Sequence, residues 1–186
     1  MLVPKKYYSW EDIERMVSDL CQQITLSDWR PDYIVGITRG GNIPATMISS
    51  YFNCRGEALK VKLRDVEETE EGTESNFWMA EDAYGYDNNG DPELGKYDPA
   101  LRKNILIVDD INDSGATFNW IKNDWQSGCL PNSPQWENVW GQNVRFAVLT
   151  DNLSSNFEHK VNYFADEVNK QEQNVWLVYP WEEWWK

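Results

Sequence analysis

The segment NILIVDDINDSGAT, residues 104–117, constrains this chain more than any other. Ile105, Leu106, Ile107 and Val108 offer no polar position with which a strand could face water. The run therefore reads as a strand buried on both faces, as at the centre of a parallel sheet. Asp109 and Asp110 follow at once, Asp113 comes three positions later, and Ser114, Gly115 and Ala116 lead into the helical stretch TFNWIKNDWQ. Carboxylates at the end of a buried strand cost free energy unless they hold a cation, a sugar hydroxyl or backbone donors.

The rest of the chain supplies the partners such a strand needs. In SWEDIERMVSDLCQQI, Ile13, Met16, Val17, Leu20 and Ile24 recur at helical spacing behind Ser9, a good N-cap. DYIVGIT reads as a short apolar strand, and Pro44 sits where a first helical turn tolerates proline, so IPATMISSYF is the next helix. EALKVKL, VRFAVL and NVWLVY complete the strands. Strands alternating with helices predict an α/β fold, a mostly parallel sheet flanked by helices. The length of 186 residues suits a single domain, 1–186, with a substantial core.

Two segments break the rhythm. Residues 65–103 are acidic, rich in Gly, Asn and Asp, and too long for an ordinary connection, which predicts a flexible excursion or lid. Residues 128–143 form a shorter loop carrying Pro and Trp. DNNGD, residues 87–91, faintly resembles a calcium loop, but Pro92 stands where that loop needs its glycine. No internal repeat is visible.

A formal charge of −14 argues against a nucleic-acid backbone as partner, because that binding runs on Lys and Arg. No apolar stretch approaches the roughly 20 residues of a membrane span, and MLVPKKYYSWEDIE lacks the apolar stretch of a secretory signal. Cys21, Cys54 and Cys129 are too far apart for a zinc site and read as reduced thiols of a cytoplasmic protein. The lone histidine, His159, makes a histidine-based triad an unlikely basis for catalysis.

Ligands of parallel α/β sheets bind beyond the carboxyl ends of the strands. There, the residues from Asp113 to Thr117 combine unpaired helix amides, small side chains and two hydroxyls, a cradle for phosphate beside the hydroxyl-binding Asp109 and Asp110. A second loop, IVGITRGGNIP, adds Arg39 as a cationic fork, with Gly40 and Gly41 freeing backbone amides for close approach. Together the two loops suit a phosphorylated sugar carrying phosphate at both ends.

ILIVDDINDSGAT closely resembles the signature of the type I phosphoribosyltransferases, which bind phosphoribosyl pyrophosphate (PRPP), and GITRGG resembles their pyrophosphate loop. The likeness spans most of the chain and is nearest the purine branch, the xanthine-guanine and hypoxanthine enzymes, whose base-binding segment VWLVYPWE resembles. The resemblance implies a core sheet with a small hood, placed at residues 151–186, and magnesium-dependent transfer of 5-phosphoribosyl from PRPP to a nucleobase in purine salvage. It implies that Asp109 and Asp110 hold the ribose hydroxyls, directly or through Mg2+. Asp113, Ser114, Gly115, Ala116 and Thr117 would wrap the 5′-phosphate, with Asp113 also the acid/base residue near the purine N7. Thr38, Arg39, Gly40 and Gly41 would bind pyrophosphate, Trp176 would stack on the base, and the backbone of Leu177 would read its edge. Family members commonly pair as dimers or tetramers, so a homo-oligomer is expected.

One departure stands out. Purine members usually carry a lysine just after the strand corresponding to VRFAVL, where it contacts the 6-oxo group; this chain reads Thr150 and Asp151 there. Either a different base is used, or a lysine arrives from elsewhere, or Thr150 recognises the oxo group. A PRPP-binding regulator without turnover and a pyrimidine-type transferase are the rival readings. Retention of both the Arg39 loop and Asp113 favours an enzyme. The aromatic run of Trp181, Trp184 and Trp185 is expected to serve packing or a subunit contact.

Overall fold

A computed structural model describes residues 3–61, 63, 77–87 and 96–185. Its centre is a five-stranded, all-parallel sheet in the order β3-β2-β6-β7-β8. These strands are β2 (Tyr33–Thr38), β3 (Arg55–Lys60), β6 (Ile105–Asn112), β7 (Val144–Asn152) and β8 (Tyr163–Val168). The remaining strands are β1 (Lys5–Tyr7), β4 (Tyr86–Asp87), β5 (Lys96–Tyr97) and β9 (Trp176–Val178). Among the described residues four α-helices accompany them: α1 (Trp10–Leu26), α2 (Asn42–Phe52), α3 (Phe77–Tyr84) and α4 (Ala116–Gly128). The expected α/β class and its flanking helices are thus present.

Alternation along the central strands divides the core in two. Val35, Ile105, Ile107, Phe146 and Val148 pack on one face with α3 and α4. Ile34, Leu106, Val108, Ala147 and Leu149 pack on the other with α1 and α2. Ile105 to Val108 are all inaccessible to solvent, as a strand covered on both faces demands. Helix α1 begins with a capping box in which Ser9 and Asp12 satisfy each other's backbone amides.

Three elements depart from the sequence reading. Helix α3 lies inside the acidic excursion and buries Met79, Ala80, Ala83 and Tyr84 in the core. That part of residues 65–103 is a packed layer. Residues 64–76 and 88–95, where the rest of the lid and most of the 87–91 loop would fall, lie outside the described residues. Second, the span 151–186 divides: β8 is an edge strand of the main sheet, while β9 pairs in parallel with β1 in a separate two-stranded unit. Asp166 and Glu167 hide β8 in the sequence, since an edge strand tolerates charge. Third, β1 is an exposed three-residue strand with no apolar signal of its own.

The C-terminal aromatics separate by role. Tyr8 stacks on Tyr179 at 5.2 Å, and Tyr179 on Trp181 at 5.1 Å, tying the segments around β1 and β9 together. Trp184 and Trp185 remain exposed.

Candidate functional site

The site forms where β2 and β6 end. The turn after β2 begins with a cis peptide between Thr38 and Arg39 and runs through Gly40 to Gly41, the N-cap of α2. Both glycines are dictated by the tip of β6. A Cβ on Gly40 would fall 1.8 Å from Asp110 Oδ2, and one on Gly41 would fall 2.4 Å from the Val108 carbonyl oxygen. The cationic loop and the acidic strand end are therefore in contact.

Beyond β6, Gly115 turns the chain into α4 with φ of 84°, and no side chain caps that helix. An added Cβ would stand 2.3 Å from the Phe157 amide nitrogen. Gly115→Ala is expected to cost about 2–3 kcal/mol, from left-handed strain plus this clash, lowering the melting temperature by roughly 4–12 °C. A thermal melt within a degree of the parent would refute that close approach. Ser114 is fixed on its other side, its carbonyl accepting from the Asn156 amide at 2.9 Å.

A cavity of about 720 Å³ opens over this turn. Asp109 to Phe118 form one wall, with Trp176, Leu177, Tyr179, Glu182, Lys170, Val61 and Leu63 around the rest. Nine of the expected residues meet here: Asp109, Asp110, Asp113, Ser114, Gly115, Ala116, Thr117, Trp176 and Leu177. Thr38, Arg39, Gly40 and Gly41 do not line this cavity; Gly40 packs behind Asp110, Gly41 behind Val108 and Asp109, and Arg39 is exposed.

Burial is the main cause raising the Asp109 carboxyl well above the usual carboxylate range, and its neighbour Asp110 pushes it further. Burial raises Asp110 as well. Backbone donors partly oppose this: the Asp110 amide donates to Asp109 Oδ1 and the Ile111 amide to Asp110 Oδ1, both at 2.9 Å. Two crowded carboxylates of this kind favour a ligand that brings positive charge or hydroxyl donors. Among the described residues no group of three or more His, Cys, Asp or Glu could hold a metal. A pair of hard oxygen ligands instead suits Mg2+ shared with substrate phosphates.

Thr150, expected among the base-binding residues, lies at the end of β7. It is fully buried, absent from the cavity wall, and held between the hydroxyls of Tyr8 (3.3 Å) and Tyr179 (3.0 Å). A base cannot reach it without dismantling that contact. The one Tyr179 hydroxyl proton goes either to Thr150 or to the Asp110 carbonyl, 3.1 Å away. Tyr8 donates to Asp166, which pairs with Lys6 at 2.6 Å, so the network runs from the strand carrying the carboxylates out to the surface. Asp151 is taken up by Asn112 at 2.8 Å.

On the opposite wall, β9 presents Trp176, half exposed, and Leu177, buried. The Trp176 amide donates to Pro4 and the Val178 carbonyl accepts from Tyr8. Alternation along the ladder turns the Leu177 amide and carbonyl away from β1, free for another partner. Lys170 and Tyr179 are wall residues that sequence reasoning missed. Tyr179 lies within the quoted VWLVYPWE, whereas nothing in EVNKQEQNV sets Lys170 apart from a solvated loop lysine.

A family described as the phosphoribosyl transferase domain matches residues 5–183. The chain is 25% identical over 189 residues to the hypoxanthine-guanine phosphoribosyltransferase of Schizosaccharomyces pombe, covering 95% of this chain and 88% of that one. It is 21% identical over 202 residues to xanthine phosphoribosyltransferase 1 of Saccharomyces cerevisiae, covering 96% and 90%. The fold is similar to that of a purine phosphoribosyltransferase from Pyrococcus horikoshii, with a TM-score of 0.61, 21% identity, and 97% and 96% of the two chains covered.

Proposed function

The chain belongs to the phosphoribosyl transferase domain family, and on that premise we propose that the cavity at the tip of β6 moves the 5-phosphoribosyl group of PRPP onto a purine base, releasing pyrophosphate. The carrying observation is the convergence, in one cavity, of the Asp109–Asp110 pair, the uncapped start of α4 and the aromatic wall at Trp176.

Each part has a task. The first amides of α4, with the Ser114 and Thr117 hydroxyls, bind the 5′-phosphate at the positive end of the helix. Asp109 and Asp110 accept the ribose hydroxyls, and their carboxylates stabilise the cationic character that develops on the sugar as the bond to pyrophosphate breaks. Mg2+, held by these carboxylates with phosphate oxygens, would neutralise charge on the leaving group. Arg39 and the amides of Gly40 and Gly41 receive pyrophosphate beside Asp110. Asp113 takes the ring proton that the base must lose, and Trp176 covers the base face.

Ala116→Asp separates the phosphate cradle from the fold. An acidic residue in the first turn of a helix is favourable, so α4 should survive. The added charge opposes phosphate, and PRPP affinity is expected to fall by at least roughly 100-fold, a difference of about 2.7 kcal/mol. Titration of PRPP with magnesium, followed by calorimetry, measures this; unchanged affinity would place the phosphate elsewhere.

The decisive experiment is pyrophosphate release from PRPP in the presence of guanine, hypoxanthine, xanthine, adenine, orotate and uracil. Release with a purine supports the reading. Saturable PRPP binding with no release would make the chain a PRPP-binding regulator, and release only with orotate or uracil would make it a pyrimidine-type enzyme. A homo-oligomer in a reducing, cytoplasmic setting belongs to the same proposal, and the free Cys21, Cys54 and Cys129 suit that setting.

A further inference from the structure

The turn between β6 and α4 rests on another loop, the one joining β7 to β8. Asn156, Phe157 and Glu158 of that loop all touch the start of α4. The Asn156 amide donates to the Ser114 carbonyl at 2.9 Å. The Phe157 backbone fills the space that a Cβ on Gly115 would need. Asn119, at the end of the first turn of α4, spans the three residues. Its Nδ2 donates to the Asn156 carbonyl at 2.9 Å, and its Oδ1 accepts from the Glu158 amide at 3.0 Å. A carboxamide offers both a donor and an acceptor, so this one side chain pairs with the loop backbone much as a neighbouring strand would.

The loop is anchored from beneath as well. Phe157 packs on Phe118 at 5.3 Å and on Phe146 at 4.9 Å, against the core. Asn112 donates to the Ser155 hydroxyl at 2.8 Å, and Lys122, one turn along α4 from Asn119, pairs with Glu158 at 2.7 Å. Asn152, at the buried end of β7, donates to the Asp113 carbonyl at 2.8 Å. The backbone of Asp113, Ser114 and Gly115 is thus set by β7 and the loop that follows it. Residues 153–162 of that loop contribute nothing to the cavity wall.

From this geometry we infer that Asn119 is a positioning residue for the 5′-phosphate: it holds residues 156–158 as the floor against which the phosphate-binding turn is set. The inference rests on the assignment of that phosphate to residues 113–117 given above. Helix amides bind phosphate when several N–H groups converge on one point, and a tilt of the first turn spreads them. Asn119 does not line the cavity, so it acts on the phosphate only through the loop. Its two hydrogen bonds are open to solvent and contribute little to the fold as a whole. Their effect falls instead on the spacing between the loop and Gly115, where there is no room for adjustment.

The test measures binding of ribose 5-phosphate, and of pyrophosphate with magnesium, to the parent, Asn119→Ala and Asn119→Gln. Ribose 5-phosphate carries the group assigned to the turn, whereas pyrophosphate is assigned to the loop after β2. Alanine favours the helix, so Asn119→Ala keeps α4 and removes only the two bonds to the loop. It is expected to weaken ribose 5-phosphate roughly 5- to 20-fold, the range for one or two lost hydrogen bonds. Pyrophosphate affinity should stay within about twofold. Asn119→Gln keeps a donor and an acceptor and should restore part of the loss. Weakening of both ligands alike overturns the inference, because a side chain that merely supports the fold does not single out one phosphate. Unchanged affinity for both overturns it too. A parent that transfers to a purine, beside an Asn119→Ala variant that binds ribose 5-phosphate as tightly, sinks this inference and leaves the transferase standing. Selective loss of ribose 5-phosphate in a protein that turns over no base does the reverse.

Discussion

Asp113→Asn is expected to lower phosphoribosyl transfer by roughly 10²- to 10⁴-fold, the range for loss of a positioned proton acceptor, while PRPP affinity in the presence of magnesium should stay within ~3-fold. The split follows from position. Asp113 stands at the cavity wall, half exposed, three residues beyond the carboxylates assigned to the sugar and ahead of the amides assigned to phosphate. Asparagine has nearly the same shape and keeps a carbonyl oxygen for Lys170, so the turn held by Asn152 is preserved. What it cannot do is take a proton from the base. Single-turnover pyrophosphate release, measured beside a PRPP titration, distinguishes the two effects. A variant that turns over at the parent rate removes Asp113 from the chemistry.

Neutralising both carboxylates at the tip of β6 should stabilise the protein and abolish its ligand. The folded pKa values of Asp109 and Asp110 are raised, chiefly by burial, with Asp110 adding to the effect at Asp109. Groups raised in this way favour folding most below their ordinary value of 3.8 and lose that contribution as pH rises through their folded values. At neutral pH the ionised pair therefore costs stability. Asp109→Asn with Asp110→Asn removes the cost and retains the Oδ1 acceptors of the two backbone bonds. Relief on the order of 1–2 kcal/mol would raise the melting temperature by about 2–8 °C at pH 8. The difference should narrow as pH falls through the raised folded values of the parent carboxyls. Asp12, Asp166 and Glu158 run the other way: their lowered values give stability above the ordinary carboxylate range that is lost as pH falls. They are common to parent and variant, so their effect cancels in the comparison. PRPP affinity should fall by about 10²-fold or more with two charge-assisted contacts gone. A double variant that melts below the parent at pH 8 contradicts the account of the pair as a functional cost.

Periodicity made the centre of this molecule legible and its margins illegible. Ile105 to Val108 can be read as a doubly covered strand because each of its positions is apolar, and the carboxylates that follow must then lie at the sheet edge. The close approach of the two loops is not visible in sequence, since only the space around Gly40 and Gly41 reveals Asp110 behind them. Strand β1 is exposed and β8 charged, so neither carries the signal of burial. Helix α3 did carry one, in Met79, Ala80, Ala83 and Tyr84, but its eight residues are flanked by acidic, glycine-rich chain that dominates the composition. The surroundings of Thr150 were hidden for a different reason. A hydroxyl next to a strand end looks available until its two tyrosine partners, distant in sequence, are known.

The two walls of the cavity belong to different parts of the architecture. Asp109 and Asp110 ride on a strand paired along both edges, so its backbone is released only when the sheet as a whole comes apart. Trp176 and Leu177 ride on a three-residue strand whose one ladder partner among the described residues is β1, itself exposed. Its hold on the main sheet comes from side chains, since Leu177 and Tyr179 are buried in the cluster that includes Ala147 and Leu149. On the proposed assignment, the sugar-facing acids sit on backbone fixed by sheet pairing, and the base-facing wall is fixed mainly by side-chain packing.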